Sequence, residues 1–337
     1  MQDKLGSTDF SNWRQVVKPY ETPHTKKGLW QVFNTVIPYY ILWVLMWKSL
    51  SVSYGLTLLL SVIAGLFLIR IFVLFHDCCH QCFVPSRRLN EIIGQILGVI
   101  VFTPLHYWRH GHAVHHATSG DLDRRGIGDV WTATVEEYKQ MSPRRKFMYR
   151  LYRNPVLLFG LAPAFKFLIH HRFVDRADSR LQHRRSVYWT NLGIIVYIAL
   201  LSWLFGFRNF WLIQVPVMTI GGAVGVWLFY VQHQFEDSYW DRHESWDFLT
   251  AALLGSSYYQ LPGILHWFTA NIGFHHIHHL SPKIPNYHLA RCHFENAMFR
   301  EIEGVTIRKS LKSLRYRLWD EDARIYTGFH AARSRAE

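Results

Sequence analysis

The chain has 337 residues, of which half are hydrophobic, and its 14 Trp, 17 Tyr and 23 Phe supply ample material for a buried core. Its formal net charge of +13 would suit a nucleic-acid partner, but the basic residues flank apolar segments and no nucleic-acid motif is present. We therefore exclude nucleic acid as a partner and assign the charge to contact with anionic lipid head groups.

Four long apolar stretches follow a polar segment, residues 1–28, that has no feature of a signal peptide. Each is close to the roughly 20 residues that a helix needs to cross a bilayer. They pair closely, because only Lys48 divides the first two and only Arg208 divides the last two. The sequence therefore predicts an all-α integral membrane protein with two helical hairpins, whose spans cover residues 29–47, 49–75, 188–207 and 209–232.

Three further apolar segments are not expected to span. Residues 92–105 and 155–165 are short, so they are interpreted as interfacial or re-entrant. Residues 248–274 are long enough, but serine, glutamine, proline and glycine interrupt them, so we expect them to lie along the membrane surface and line an acyl-chain entrance. The stretch 301–337 is expected to be a cytoplasmic C-terminal tail, with a peripheral helix followed by a loose end.

Basic residues are concentrated between the two hairpins, whereas the hairpin turns contain only Lys48 and Arg208. The positive-inside rule therefore places both termini and this central region in the cytoplasm. With four spans, every histidine cluster described below also lies on that side. A bacterial inner membrane is the expected location.

Histidines recur at helical spacing in three clusters, each just outside an apolar segment. Residues three or four apart on a helix share a face, so each cluster can direct its rings to one place. Neutral imidazole suits iron, zinc, copper and nickel, and the number of rings exceeds what one ion needs. We expect two metal ions in a cytoplasmic helical cap. The predicted ligands are His76, His80, His112, His115, His116, His275, His278 and His279, with His233 at the end of the last span as a ninth.

Carboxylates near the clusters are candidates to accept the second ring N–H of a ligating histidine, which would fix its tautomer and orientation. They could instead be metal ligands or helix caps. Three other histidines, His106, His110 and His276, break the shared spacing and suit supporting or structural roles. The candidate carboxylates are Asp77, Asp121, Asp123, Asp129, Glu236 and Asp237.

The three histidine boxes around two hairpins strongly resemble the membrane fatty acid desaturases. The stretches HHATSGDLDRRGIGDVWTATVEE (115–137), VQHQFEDSYW (231–240) and NIGFHHIHHLSPKIPNY (271–287) are similar to bacterial acyl-lipid desaturases, above all the omega-6 or delta-12 type. The resemblance implies a desaturase domain over residues 29–300, with a non-haem di-iron centre held by the nine histidines. It also implies O2 as oxidant and an acyl chain in the membrane as substrate. The first box, HDCCHQCF, departs from relatives at Cys79, Gln81 and Cys82 without changing the ligand spacing.

A dioxygen reaction of this kind needs two external electrons. The chain contains no dinucleotide-binding glycine motif, ferredoxin cysteine pattern or haem domain, so a separate ferredoxin, flavodoxin or cytochrome is implied as donor. A related membrane hydroxylase or ketolase is the main alternative. A metal transporter or haem electron carrier is less favoured, because transporters place their ligands near the bilayer midplane.

Overall fold

The computed structural model describes residues 9–175, 178 and 180–334, and most of them are helical. The helices are α1 (Trp13–Val17), α2 (Thr25–Ser49), α3 (Tyr54–Cys79), α4 (Arg87–Ile100), α5 (Leu105–Thr118), α6 (Val135–Gln140), α7 (Pro143–Tyr152), α8 (Ala162–Leu168), α9 (Leu181–Phe205), α10 (Phe207–His233), α11 (Phe248–Leu254), α12 (Gly263–Phe268), α13 (His275–Leu280), α14 (Asn286–Glu295), α15 (Ala297–Arg300), α16 (Ile307–Ser310) and α17 (Ala331–Ser334). Short 3-10 turns cover Lys18–Tyr20, His170–Arg172 and Leu311–Arg315, and a π-turn covers Leu157–Leu161.

Four helices are long and apolar enough to cross a membrane, as the sequence predicted: α2, α3, α9 and α10. They contain 25, 26, 25 and 27 residues, which exceeds the roughly 20 residues that a span requires. α2, α9 and α10 begin before their predicted limits and α3 ends after its own, because the helix continues through polar flanking residues that hydropathy excludes, whereas α3 begins at Tyr54, inside its predicted limit. The helical extensions of α3 and α10 carry His76 and His233 beyond the apolar core of each span.

The two hairpins meet where α3 packs against α10 through small residues. A methyl group at Gly65 would lie 2.8 Å from Ile220 Cγ2 and 3.2 Å from the Gly221 backbone nitrogen. Likewise, a methyl group at Gly221 would lie 3.3 Å from the Gly65 carbonyl oxygen. Glycines at this crossing let the backbones approach closely, as is typical of membrane helices. The close approach places the C-terminal ends of α3 and α10 side by side.

The shorter apolar segments form bent or broken elements. Helices α4 and α5 follow each other at an angle of 98°, so this pair is either re-entrant or one broken span. Residues 155–165 fall in the π-turn and the start of α8. Residues 248–274 divide into α11, a short strand and α12, none of which is a candidate span among the described residues. The polar and glycine residues that interrupt residues 248–274 in the sequence therefore also divide this segment in the fold.

The prediction for the C-terminal stretch was wrong in its described part. Instead of one helix and a loose end, it contributes three of five short strands: β1 (Ala133–Thr134), β2 (Tyr258–Gln260), β3 (Gly304–Thr306), β4 (Leu318–Asp320) and β5 (Ile325–Thr327). β3 pairs in parallel with β2, and β4 lies between β1 and β5. Leu318 and Trp319 are fully buried there. Strands of two or three residues are too short for a periodic hydrophobic pattern to reveal.

Arg153 fastens this C-terminal part to the end of α10. Its side chain is fully buried, and its guanidinium donates to the Tyr230 hydroxyl, the Gln234 side-chain oxygen and the Tyr316 carbonyl. The planar guanidinium offers five N–H donors, so one residue can join three separate chain segments. The described C-terminal stretch is therefore a structural part of the fold around the end of α10.

Candidate metal centre

Four helices carry the predicted histidine ligands to one place. His76 lies in the last turn of α3 and His80 caps that helix, while His233 ends α10. The second box lies on α5 and the third on the short helix α13. The three- and four-residue spacings put the rings of each box on one helix face, as the sequence predicted.

The nine histidines form two groups. His76, His80, His112, His116 and His278 make up the first group, and His115, His233, His275 and His279 make up the second. Within each group, one nitrogen from every ring lies within 4.8 Å of all the others. Each group thus contains histidines from different boxes, so neither group consists of the histidines of a single box. The groups adjoin, since the rings of His116 and His279 stack with centroids 4.2 Å apart.

The ring nitrogens point at one another. In the first group, His112 Nε2 lies 2.8 Å from His76 Nε2 and 3.0 Å from His116 Nε2, and His278 Nε2 lies 3.0 Å from His116 Nε2. In the second group, His233 Nε2 lies 3.0 Å from the Nε2 atoms of both His115 and His275. A neutral imidazole has one donor and one acceptor nitrogen. Several Nε2 atoms converge on one point, so hydrogen bonds among these atoms cannot satisfy all of them.

Burial favours the neutral form of seven rings of the centre. Burial lowers the pKa of each ligand candidate outside the spans well below the usual value, and the neighbouring imidazoles lower that pKa further. The ligand candidates concerned are His80, His112, His115, His116, His275, His278 and His279. A neutral imidazole has the lone pair that a metal ion needs, whereas an imidazolium has none. The protein environment therefore favours the metal-binding state.

Comparisons with known proteins agree with this geometry. The family model described as "Fatty acid desaturase" matches residues 53–308. A protein of Bacillus subtilis named "Fatty acid desaturase" is 49% identical over 315 residues, which cover 94% of this chain and 89% of that protein. The chain belongs to the fatty acid desaturase family. It is accordingly an oxidoreductase.

More distant relatives carry more specific names. The Nostoc sp. protein "sn-1 acyl-lipid omega-3 desaturase (ferredoxin)" is 28% identical over 265 residues, which cover 74% of this chain and 69% of that protein. A Synechocystis sp. protein of the same name is 30% identical over 241 residues, which cover 68% of this chain and 64% of its own length.

Two ligand candidates of this desaturase have a partner on the outer ring nitrogen. His233 Nδ1 lies 3.2 Å from the Gly255 carbonyl oxygen and 3.3 Å from the Ser119 hydroxyl. Since a carbonyl oxygen only accepts, Nδ1 of His233 carries the proton and Nε2 keeps its lone pair toward the group. His76 Nδ1 lies 3.4 Å from a carboxylate oxygen of Asp77.

Asp77 is the predicted carboxylate that the structure places beside a ligand candidate. It is buried, and its second oxygen accepts hydrogen bonds from the backbone and side-chain nitrogens of Asn286, at 2.7 and 2.8 Å. It thereby connects α3 with α14, the helix that follows the third box.

Other predicted carboxylates have different partners. Asp129 accepts from the Gly126 backbone, and Glu236 pairs with Lys312 on the surface. Asp121 contacts His243 and Arg124, and Asp123 contacts Arg242 and the His243 backbone. Asp237 lies in a left-handed turn with φ of 65°. Nearness in sequence to a ligand therefore did not bring these groups to the ligand rings, because the chain turns away after α5 and α10.

The three histidines outside the pattern take supporting positions. His276 is fully buried and contacts His293 through its Nε2, at 3.2 Å. His106 pairs with Glu91, and His110 contacts Arg180. Two further neighbours of the centre were not predicted: Trp108 stacks on His112 with centroids 4.4 Å apart, and Phe229 lies 5.1 Å from the His115 ring. Both precede a predicted ligand by four residues on the same helix. This spacing could have been used to predict that they lie beside the centre.

A closed crevice, too narrow to admit a water molecule, adjoins the centre. Its walls are His116 and His279 together with Ser119, Trp246, Phe248, Ala251 and Ala252. The start of the 248–274 segment, predicted to line an acyl-chain entrance, therefore borders two ligand candidates.

The residues present fit a pair of metal ions. The Nε2 atoms of His80 and His279 are buried and have no hydrogen-bond partner in the described structure. An unpaired buried polar atom costs about 1–3 kcal/mol, which coordination to an ion would remove. The donor set consists of imidazoles alone, which suits iron as well as zinc or copper.

Proposed function

We propose that this enzyme is an acyl-lipid desaturase that holds two iron ions in the five- and four-histidine groups. The reaction would convert a saturated CH2–CH2 unit, O2, two electrons and two protons into a cis- or trans-alkene and two waters. Bound iron would supply the dioxygen chemistry that no side chain can perform. The single observation that carries the proposal is the pair of adjoining, buried groups of neutral imidazoles beside a crevice bordered by apolar residues.

The protein's own residues would position the reactants. His233, whose proton is fixed on Nδ1 by the Gly255 carbonyl, would present Nε2 to the ion of the second group. In the first group, the Asp77 carboxylate beside Nδ1 of His76 would likewise fix the proton of that ring on Nδ1. Phe248, Ala251 and Ala252 would exclude water from the side on which the acyl chain approaches.

The electron donor is proposed to be a separate small redox protein, a ferredoxin, flavodoxin or cytochrome. The printed names of the Nostoc and Synechocystis relatives include ferredoxin, which supports this class. The basic residues of the cap would attract an acidic donor.

The proposed position of the new double bond is omega-6, or delta-12. The resemblance of the flanking stretches supports it, whereas the relatives named for a position are omega-3 desaturases. Expression in a host without polyunsaturated lipids, followed by mass spectrometry that locates double bonds, tests the proposal. We expect a diunsaturated acyl chain with the new bond at omega-6. A new bond at omega-3 or near the carboxyl end would contradict the proposed position, though not the desaturase activity.

We propose further that the centre and both termini face the cytoplasm of a bacterial inner membrane. The four candidate spans and the basic residues between the hairpins support this orientation. Single cysteines at Lys48 and Arg208 should react with a membrane-impermeant maleimide in intact cells, and a cysteine at Lys312 should react only after lysis. Protection of both turns would contradict the orientation.

A further inference from the structure

A cavity of about 460 Å³ lies beside the third histidine box, between α2, α3, the β2–α12 segment and α14. Its walls are apolar except for a few polar groups, chiefly Gln31, Arg70, His266 and Asn271. Sites for small ligands have this size and this mixture of many apolar walls and few polar groups. The cavity is separate from the crevice at His116 and His279, since the two have no lining residue in common.

Arg70 is a buried cation without an anion. Only 3% of the residue is exposed, although it lies within the membrane span α3. Its Nε donates to the Thr35 hydroxyl at 2.9 Å, its Nη1 donates to the Trp267 carbonyl, and its guanidinium stacks on the Trp267 ring at 4.1 Å. Among the described residues, no carboxylate lies within 4.0 Å of it, and Nη2 donates to no acceptor. A charge in this position is costly unless an anion compensates it, and such residues mark functional sites.

His266 presents a second unused donor at the same cavity. Its Nε2 accepts the Leu261 backbone N–H at 3.4 Å, so the proton of the neutral ring is on Nδ1. That Nδ1 is buried and has no hydrogen-bond partner in the described structure. The wall of the cavity therefore contains the Arg70 guanidinium and, behind it, a His266 N–H without a partner, which favours an occupant with acceptor oxygens.

The cavity adjoins surface that faces lipid. Trp30 and Phe33, on either side of Gln31 on α2, are 61% and 55% exposed, and Ile264 on α12 is 63% exposed. Large apolar side chains with this exposure on a membrane helix contact lipid tails. Gln31 lies six residues into α2, roughly 9 Å from its cytoplasmic end, so the cavity lies near the membrane–water boundary, where phospholipid head groups reside.

The cavity is joined to the metal centre by two routes. Phe274, in its wall, directly precedes the ligand candidate His275. Gln31, also in its wall, exchanges hydrogen bonds with the Asn286 side chain at 2.8 and 3.0 Å, and Asn286 donates to Asp77. A molecule bound here would lie against Phe274, the residue that precedes the third box.

From these observations we infer that the cavity binds the phosphate of a glycerophospholipid, with Arg70 as the cation that donates to its oxygens. This inference deepens the proposed function, on which it rests, by naming a phospholipid as the form in which the acyl chain is presented. The buried cation and the volume of about 460 Å³ favour a phosphodiester with part of its glycerol over a carboxylate alone.

The test uses the purified full-length chain in a non-ionic detergent. Lipid binding is measured as the shift in the midpoint temperature of the chain's thermal unfolding. Dioctanoyl phosphatidylglycerol should raise the midpoint in a concentration-dependent way, whereas dioctanoylglycerol, with equal chains and no phosphate, should raise it far less. Inorganic phosphate and octanoate alone should have little effect. Arg70→Gln should weaken the apparent affinity on the order of 10- to 100-fold, the usual effect of losing a hydrogen bond to a charged group.

Arg70→Lys keeps the charge and should keep part of the affinity, and Ala290→Trp, which fills the cavity but leaves Arg70 in place, should abolish binding. Arg208→Gln, at an exposed arginine in the first turn of α10, is the matched control and should bind as the wild type does. Wild-type affinity in both Arg70→Gln and Ala290→Trp would overturn the inference. Equal shifts with dioctanoylglycerol would also overturn it, as would an equal effect of inorganic phosphate or octanoate. Because the readout needs no turnover, lipid binding without any product would refute the proposed function and leave this inference standing.

Discussion

Replacing His278 with alanine is expected to abolish desaturation while the protein stays in the membrane. Its Nε2 lies 3.0 Å from His116 Nε2 inside the five-histidine group, so the change removes one of the ring nitrogens that converge there. Loss of an outer partner of a metal ligand already costs about 10- to 100-fold in affinity or activity. Loss of a ligand should cost more, and we expect product formation to fall below detection.

His115→Ala tests the second group in the same way. Four histidines remain in the first group after His278→Ala, but only three remain in the second after His115→Ala. Iron content should therefore fall from about two ions per chain in the wild type toward one in His115→Ala, and fall less in His278→Ala. Metal analysis after anaerobic iron loading, together with a product assay, checks both variants.

His110→Ala is the matched control, because it lies on α5 with His115 but its ring contacts Arg180 instead of either group. It should keep two irons and near-normal activity. Near-normal activity in His278→Ala or His115→Ala would remove that residue from the site. Stoichiometric zinc or haem in the wild type, with no uptake of iron, would contradict the di-iron centre.

Much of this architecture could be predicted because its determinants are local. The spans follow from runs of apolar residues, and the boxes follow from spacings of three and four on helices, which place the rings on one face. His233 could be included because it lies at the C-terminal end of α10. These features depend on the order of residues along one helix.

Features that depend on contacts between distant segments could not be predicted. The division of the nine histidines into groups of five and four combines rings from different boxes, and only the packing of α3, α5, α10 and α13 determines it. The same holds for Asp129 and Glu236, which are near ligand candidates in sequence but bond elsewhere. The buried strand residues Leu318 and Trp319 belong to a sheet whose other members lie far away along the chain.

Formation of an alkene instead of an alcohol is the central claim of the proposed function. Desaturation and hydroxylation both begin with removal of one hydrogen atom from the acyl chain. A desaturase then removes a second hydrogen from the neighbouring carbon, whereas a hydroxylase adds oxygen to the carbon radical. The outcome depends on which C–H bond is held within reach, and a displacement of about 1 Å can cost 100-fold in rate.

Phe248, Ala251 and Ala252 are the apolar residues that border His116 and His279, and they would contact an acyl chain that reaches the centre. They begin the segment that the sequence already indicated as the wall of an acyl-chain entrance. Their contact with His116 and His279 places an apolar surface directly beside both histidine groups. We therefore expect the chain to be restrained tightly enough for a second hydrogen abstraction to precede oxygen transfer.

The most direct measurement supplies the purified, iron-loaded enzyme with phospholipids bearing saturated and monounsaturated chains, O2 and a reduced ferredoxin. The acyl products are then weighed by mass spectrometry. The proposed function predicts a main product that is lighter than its substrate by two hydrogen atoms. A main product that instead carries an added oxygen atom would contradict it and identify the enzyme as a hydroxylase on the same scaffold.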